Sequence, residues 1–189
     1  MPIESITRAE LNKADLLSLA YSSRSAPNSV IYVLVDRAVD ISMLHDPRLC
    51  LLGEGGTTTG QQIVRLKSSN TGLDGAPAWI LHTDNTDGAA VMLCMYHVSN
   101  KFLPTKDAVN AYTAKTRLAD LARMATSPSR MNSIRDDARS RQVTWYRFVI
   151  YCDDAKQGSE LLQRFAEQFI NRVIGPDAGE AAVTSRQPG

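Results

Sequence analysis

The stretch 142–152, QVTWYRFVIYC, restricts the fold of this chain more than any other. Successive side chains of a β-strand point to opposite faces, so Tyr146, Phe148, Ile150 and Cys152 line one side, with Trp145, Val149 and Tyr151 on the other. A strand apolar on both sides belongs in the interior of a layered structure, covered by helices or by a second subunit.

The rest of the chain offers matching layers. SVIYVLVD (29–36) reads as a second strand buried on both faces. RLCLL, QIVRLK, AWILHT and AAVMLCMYHV are shorter apolar runs separated by Gly-rich or Asp-Gly turns, as in a mostly antiparallel sheet. Three helices accompany them. Thr7-Arg8-Ala9-Glu10 matches a capping box, and a helix is expected from there to about Ala20, packing through Leu16, Leu19 and Ala20. After Pro104 the residues Ala111, Ala114, Leu118, Leu121, Ala122 and Ala125 share one angular sector, which predicts a helix over 105–126 with a small, Ala-rich packing face. Asp153-Asp154 offers N-cap oxygens to a last helix, whose Leu162, Phe165, Ala166, Phe169, Ile170 and Val173 recur at three- and four-residue steps until Gly175-Pro176. The expected fold is α+β: an antiparallel sheet of about five to six strands, an N-terminal helix, a helix near 105–126, and a C-terminal helix packed on the sheet.

Residues 1–175 are expected to form a single domain, large enough to hold its core without disulfide or metal. The tail 176–189 lacks periodicity and large apolar groups, and disorder is expected there. Cys50, Cys94 and Cys152 are odd in number, widely spaced and set in apolar runs, as expected of small buried hydrophobes in a reducing, cytoplasmic setting. No apolar stretch reaches the ~18 residues of a membrane span, and no membrane partner is expected.

Charge is distributed unevenly. Residues 101–147 hold ten Lys/Arg against four Asp/Glu, a local +6, while the flanking parts are slightly acidic. Such a block points to an anionic partner, phosphate backbone above all. Arg outnumbers Lys from 117 onward, and a guanidinium forks onto phosphate oxygens where an ammonium does not. The expected nucleic-acid-binding residues are Arg117, Arg123, Arg130, Arg135, Arg139 and Arg141. Within 133–141, pairs such as Asp137 with Arg141 also fit an ordinary solvated face. Lys106, Lys115, Arg117 and Arg123 do not form a single stripe. Aromatics make up only 6% of the chain, so backbone contact is favoured over base stacking.

Other motifs carry less. Gly55 to Gly60 reproduces a GxxxxG spacing, but Gln61-Gln62 stand where a phosphate-gripping Lys and a metal-binding Ser/Thr would be, so a hairpin loop is expected. Cys94 and His97 have metal-like spacing yet face opposite sides of a strand. His82 and Asp84 share a side, and His45 precedes Asp46, but no nucleophile sits in a recognisable elbow. Neither catalysis, a metal nor a cofactor is expected.

FVIY at 148–151 resembles the end of the strand signature of RNA-recognition-motif domains, although Val143 to Arg147 replaces the basic-Gly-aromatic-Gly run. IYVLVDR at 31–37 is similar to the apolar strand ending in Asp of plant-virus movement proteins. Both resemblances imply RNA handling, the second in a viral setting. The resulting expectation is a homo-oligomeric binding and assembly protein that contacts RNA or another polyanion. The alternatives are a protein-interaction module, or a small hydrolase using His82 and Asp84.

Overall fold

The computed structural model describes residues 16–23, 26–38, 41–44, 46–48, 57–69, 74–85, 88–99, 101–127, 132, 134 and 142–174. Its strands are β1 (Leu16–Ser23), β2 (Ala26–Ala38), β3 (Thr57–Leu66), β4 (Ala76–Asn85), β5 (Gly88–Val98), β6 (Lys101–Leu103) and β7 (Val143–Cys152). They form one antiparallel sheet in the order β1-β2-β7-β5-β4-β3, with β6 paired to the end of β5. Helix α1 spans Lys106–Thr126 and α2 spans Ala155–Phe169, followed by a π-helical turn at Ile170–Ile174.

β7 occupies the centre, as its two apolar faces require. It pairs with β2 from Ile31↔Ile150 to Ala38↔Val143, and with β5 from Ala89↔Cys152 to Val98↔Val143. Tyr146, Phe148 and Ile150 enter one core together with Ile31, Val33, Val35, Ile80, Val91 and Leu93. Helix α2 closes that core with Leu162, Phe165, Ala166 and Phe169. Phe148 meets Phe165 and Phe169 edge-on, at centroid distances of 5.9 and 5.3 Å. Burying each such ring stabilises the fold by roughly 1.5–3 kcal/mol. Asp154 caps α2, its side chain accepting from the amides of Lys156 and Gln157. The far end of α2 is tied to β3 and the residues after it: Glu167 accepts from the Lys67 amide at 2.9 Å, and Asn171 Oδ1 accepts from Ser68 Oγ at 2.6 Å.

The opposite face of the sheet carries a second core of Trp79, Leu81, Met92, Cys94, Tyr96, Trp145 and Val149. Tyr96 and Trp145 stack nearly parallel at 5.6 Å. A 3-10 turn at Ile41–Met43 and Val109 at the start of α1 pack on this side. Tyr32 and Tyr151, 41% and 46% exposed, meet edge-on at its far end.

Four sequence expectations are corrected. Residues 16–20 are strand, not the end of a helix; the rest of the expected N-terminal helix lies outside the described residues. LLSLAYSS satisfies both periods, but antiparallel pairing of Leu16↔Asp36 through Ser22↔Val30 wins, because it sends Leu17, Leu19 and Tyr21 into the α2-covered core. Among the described residues the sheet has seven strands, since β1 and the short β6 join five of the expected runs. Within the supposed Gly55–Gly60 loop, Thr57 to Gly60 already belongs to β3, with a bulge between Thr58 and Gly60.

The fourth correction concerns α1. The helix forms where expected, with Thr105 as N-cap, but its packing face is not the Ala/Leu sector: Val109 and Asp120 are its buried residues, while Leu118 and Leu121 are 68% and 59% exposed. The first turns fix how the helix docks, because Val109 and the half-buried Tyr112 sit against the second core and carry the opposite sector outward. The RLCLL run beyond Arg48, the segment 135–141 and the tail 176–189 lie outside the described residues.

Candidate nucleic-acid interface

Helix α1 and the 3-10 turn bound a cleft of about 350 Å³, lined by Ile41 and Ser42 on one side and by Lys106, Asn110, Thr113, Ala114 and Arg117 on the other. Residues 106, 110, 113 and 117 follow steps of four, three and four, so one stripe of α1 presents two cations and two neutral hydrogen-bonding groups. Ala114 and Ile41 supply apolar wall. The seven lining residues include no carboxylate.

Local chemistry holds this wall in place. Thr105 Oγ1 accepts from the Ala108 amide at 3.2 Å and starts the helix beside the cleft. Lys106 Nζ donates to the Leu44 carbonyl at 2.5 Å, which joins the helix start to the segment after the 3-10 turn. Two of its three protons remain for other acceptors. Asp46 lies near enough to feel Lys106, but its main partner is Arg48, whose side chain holds the Asp46 carboxyl below the usual range. Paired with Arg48, Asp46 adds little net negative charge beside Lys106.

Of the six expected contact residues, the structure places two. Arg117 lines the cleft. Arg123 is exposed on the last turn of α1, six residues and about 240° further round, so it faces a different direction. Arg130, Arg135, Arg139 and Arg141 lie outside the described residues. Arg147, which the charge count included, is set in the sheet: it pairs with Asp36 on β2 and lies over the Trp145 ring at 4.1 Å. Its charge is therefore neutralised within the fold. The spacing of Lys106, Asn110 and Thr113 with Arg117 is visible in the sequence, but charge alone does not mark the two neutral residues as part of the group. Ser42 arrives from a distant segment, with no local signal.

The His82 site takes a different form from the one anticipated. Its partner is Ser159 on α2, with Nε2 and Oγ 2.8 Å apart. Ser159 Oγ donates its own proton to the Ala155 carbonyl at 2.7 Å, so it accepts from His82 Nε2–H. That is the reverse of nucleophile activation, in which the imidazole takes the hydroxyl proton. Ser159 is also 7% exposed, and Asp84 lies two residues along the strand, exposed. Gly60 leaves room for the imidazole, since a Cβ there would sit 3.3 Å from Nδ1. Cys94 is buried in the second core, whereas His97 stacks on Phe102 at 4.7 Å. Among the described residues no three His, Cys, Asp or Glu side chains cluster as a metal site would require, and no helix is long and apolar enough to cross a membrane.

No family model matches this chain, and neither the curated proteins nor the solved structures include a significant match.

Proposed function

We propose that this chain is a binding and assembly protein that holds RNA or another polyanion by its phosphates, with the α1 cleft as an anchoring point. One observation carries the reading: Lys106 and Arg117 line the same cleft with Asn110, Thr113 and Ser42, and no carboxylate lines it. A volume of about 350 Å³ suits one or two phosphate-sugar units, and the donors are of the kinds that contact nucleic-acid backbone in a sequence-independent way. The Arg residues of 130–141 follow α1 directly in the chain and would extend the contact beyond the cleft. Binding rather than hydrolysis is the favoured activity, because the Ser159 hydroxyl proton is committed to Ala155.

Fluorescence anisotropy with unrelated single-stranded RNA and DNA sequences, repeated across a salt series, tests the reading. With about four or five phosphates neutralised, log K should fall with log salt at a slope of about −3 to −4 and show little sequence preference. Replacing Lys106 and Arg117 together by Gln should make that slope shallower by about 1 to 1.5. No binding at about 50 mM salt, or a slope indifferent to the double substitution, refutes the cleft as a phosphate anchor.

A further inference from the structure

The exposed sector of α1 has a pattern of its own. Ala111, Ala114, Leu118, Leu121 and Ala125 follow steps of three, four, three and four, the spacing of a seam between two helices. All five are exposed, Leu118 at 68% and Leu121 at 59%. Helix geometry places this seam opposite the docked side: Val109 and Leu118 are nine residues apart, about two and a half turns, and the buried Asp120 is likewise about 200° from Leu118. A partner on the seam would therefore meet mainly the helix, with the cleft beginning at Ala114.

We infer that α1 pairs with α1 of a second copy of this chain, antiparallel, through this seam. The order Ala114-Leu118-Leu121-Ala125 reads the same from either end, so a two-fold axis between Ala119 and Asp120 brings each leucine against a leucine. Each terminal alanine then meets an alanine. The alanines permit close approach at both ends and the leucines fill the middle. Charge agrees with this pairing. No seam residue is charged, and in the two-fold register the nearest flanking neighbours of Lys115 and Arg117 are Ala122 and Met124 of the second copy. Like charges are not brought together, which an antiparallel match of a basic helix with itself would otherwise risk. Because the docked faces point away from the seam, the two sheets lie on the outer sides of the helix pair. The pairing uses none of the polar side chains of the cleft, although Ala114 belongs both to the seam and to the cleft wall.

The seam is short, so association is weak. The protein without nucleic acid should sediment as a monomer at a few micromolar and approach the dimer mass at roughly 300 µM, as a contact below the standard interface size would. Leu118→Glu with Leu121→Glu should keep the melting temperature, both side chains being exposed, and abolish the dimer. Orientation is read by disulfide trapping against the unaltered protein as background. Ala114→Cys with Ala125→Cys should give a cross-linked dimer. Ala114→Cys alone should not, because the two copies of residue 114 are then about 16 Å apart along the axis, beyond disulfide reach. A monomer at the highest concentration, a dimer that survives the double glutamate variant, or cross-linking through Ala114→Cys alone overturns the proposal.

Discussion

Gly158 sits in the first full turn of α2, where the helix comes closest to β7. A Cβ built there would lie 2.6 Å from Cys152 Sγ, 3.2 Å from Val91 Cγ2 and 3.4 Å from Ile150 Cγ2. Ordinary contact is about 3.5–4 Å, so Gly158→Ala presses roughly 1 Å into the sulfur. Overpacking of this kind costs about 1–3 kcal/mol. Alanine returns about 0.8–1 kcal/mol of helix propensity. A contact this short falls in the upper part of that range, so the expected net loss is about 1–2 kcal/mol, or roughly 2–8 °C in melting temperature for a domain of this size. The assignment to the sulfur is testable by a double-mutant cycle in urea. In a Cys152→Ala background the 2.6 Å contact is gone, Val91 and Ile150 need yield only a few tenths of an ångström, and Gly158→Ala should be neutral within about 0.5 kcal/mol. A coupling of at least about 1 kcal/mol is thus expected. If Gly158→Ala costs the same in both backgrounds, the close approach of α2 to β7 is not what excludes a side chain at 158.

Phe169 is fully buried and meets Tyr146, Phe148 and Phe165, so Phe169→Ala should lose about 3–5 kcal/mol in chemical denaturation, whereas Leu118→Ala on the exposed side of α1 should stay within about 0.5 kcal/mol. Equal effects would contradict the assignment of core and surface. Burial, with Asp154 and Asp153 nearby, raises the Cys152 thiol above its ordinary range. A group whose folded pKa is raised contributes stability that is complete below the unfolded pKa and is lost as pH rises through the folded one. The melting temperature of the parent should therefore fall more steeply than that of Cys152→Ala between about pH 8 and 10, and parallel curves would refute the shift.

The elements readable from sequence are those in which local pattern and tertiary demand agree. β7 and α2 are the clearest. The alternation in 143–152 sorts its side chains onto two apolar faces, the three- and four-residue steps of 162–170 permit a single amphipathic reading, and both are realised on the predicted faces. Leu16 to Ser23 supports helix and strand about equally, and the choice was made by β2, some ten residues on, through hydrogen bonds that a local reading does not contain. α1 shows the complementary difficulty. Its largest apolar stripe predicts the wrong packing face, because docking is governed by Val109 and Tyr112 near its start. Arg117 was legible as a contact residue from charge alone. That Ser42 faces it, and that Asp36 neutralises Arg147, depends on chain segments more than 70 residues distant.

The central place of β7 has a consequence for how the chain is made. Without it, β1–β2 and β3–β4–β5–β6 are two separate ribbons with no strand pairing between them. A ribosome delivering this chain from its N-terminus completes both ribbons before residue 143 appears. Each then waits with the inner edge of β2 or β5 unpaired, and with the face that α2 later covers still wet. Contacts of such sequence separation form slowly, and open edges invite pairing with other chains during the delay. Truncations that stop short of Val143 should thus yield aggregating fragments rather than a smaller soluble domain, and the last quarter of the chain, which supplies both the central strand and its covering helix, turns two unstable ribbons into one protein.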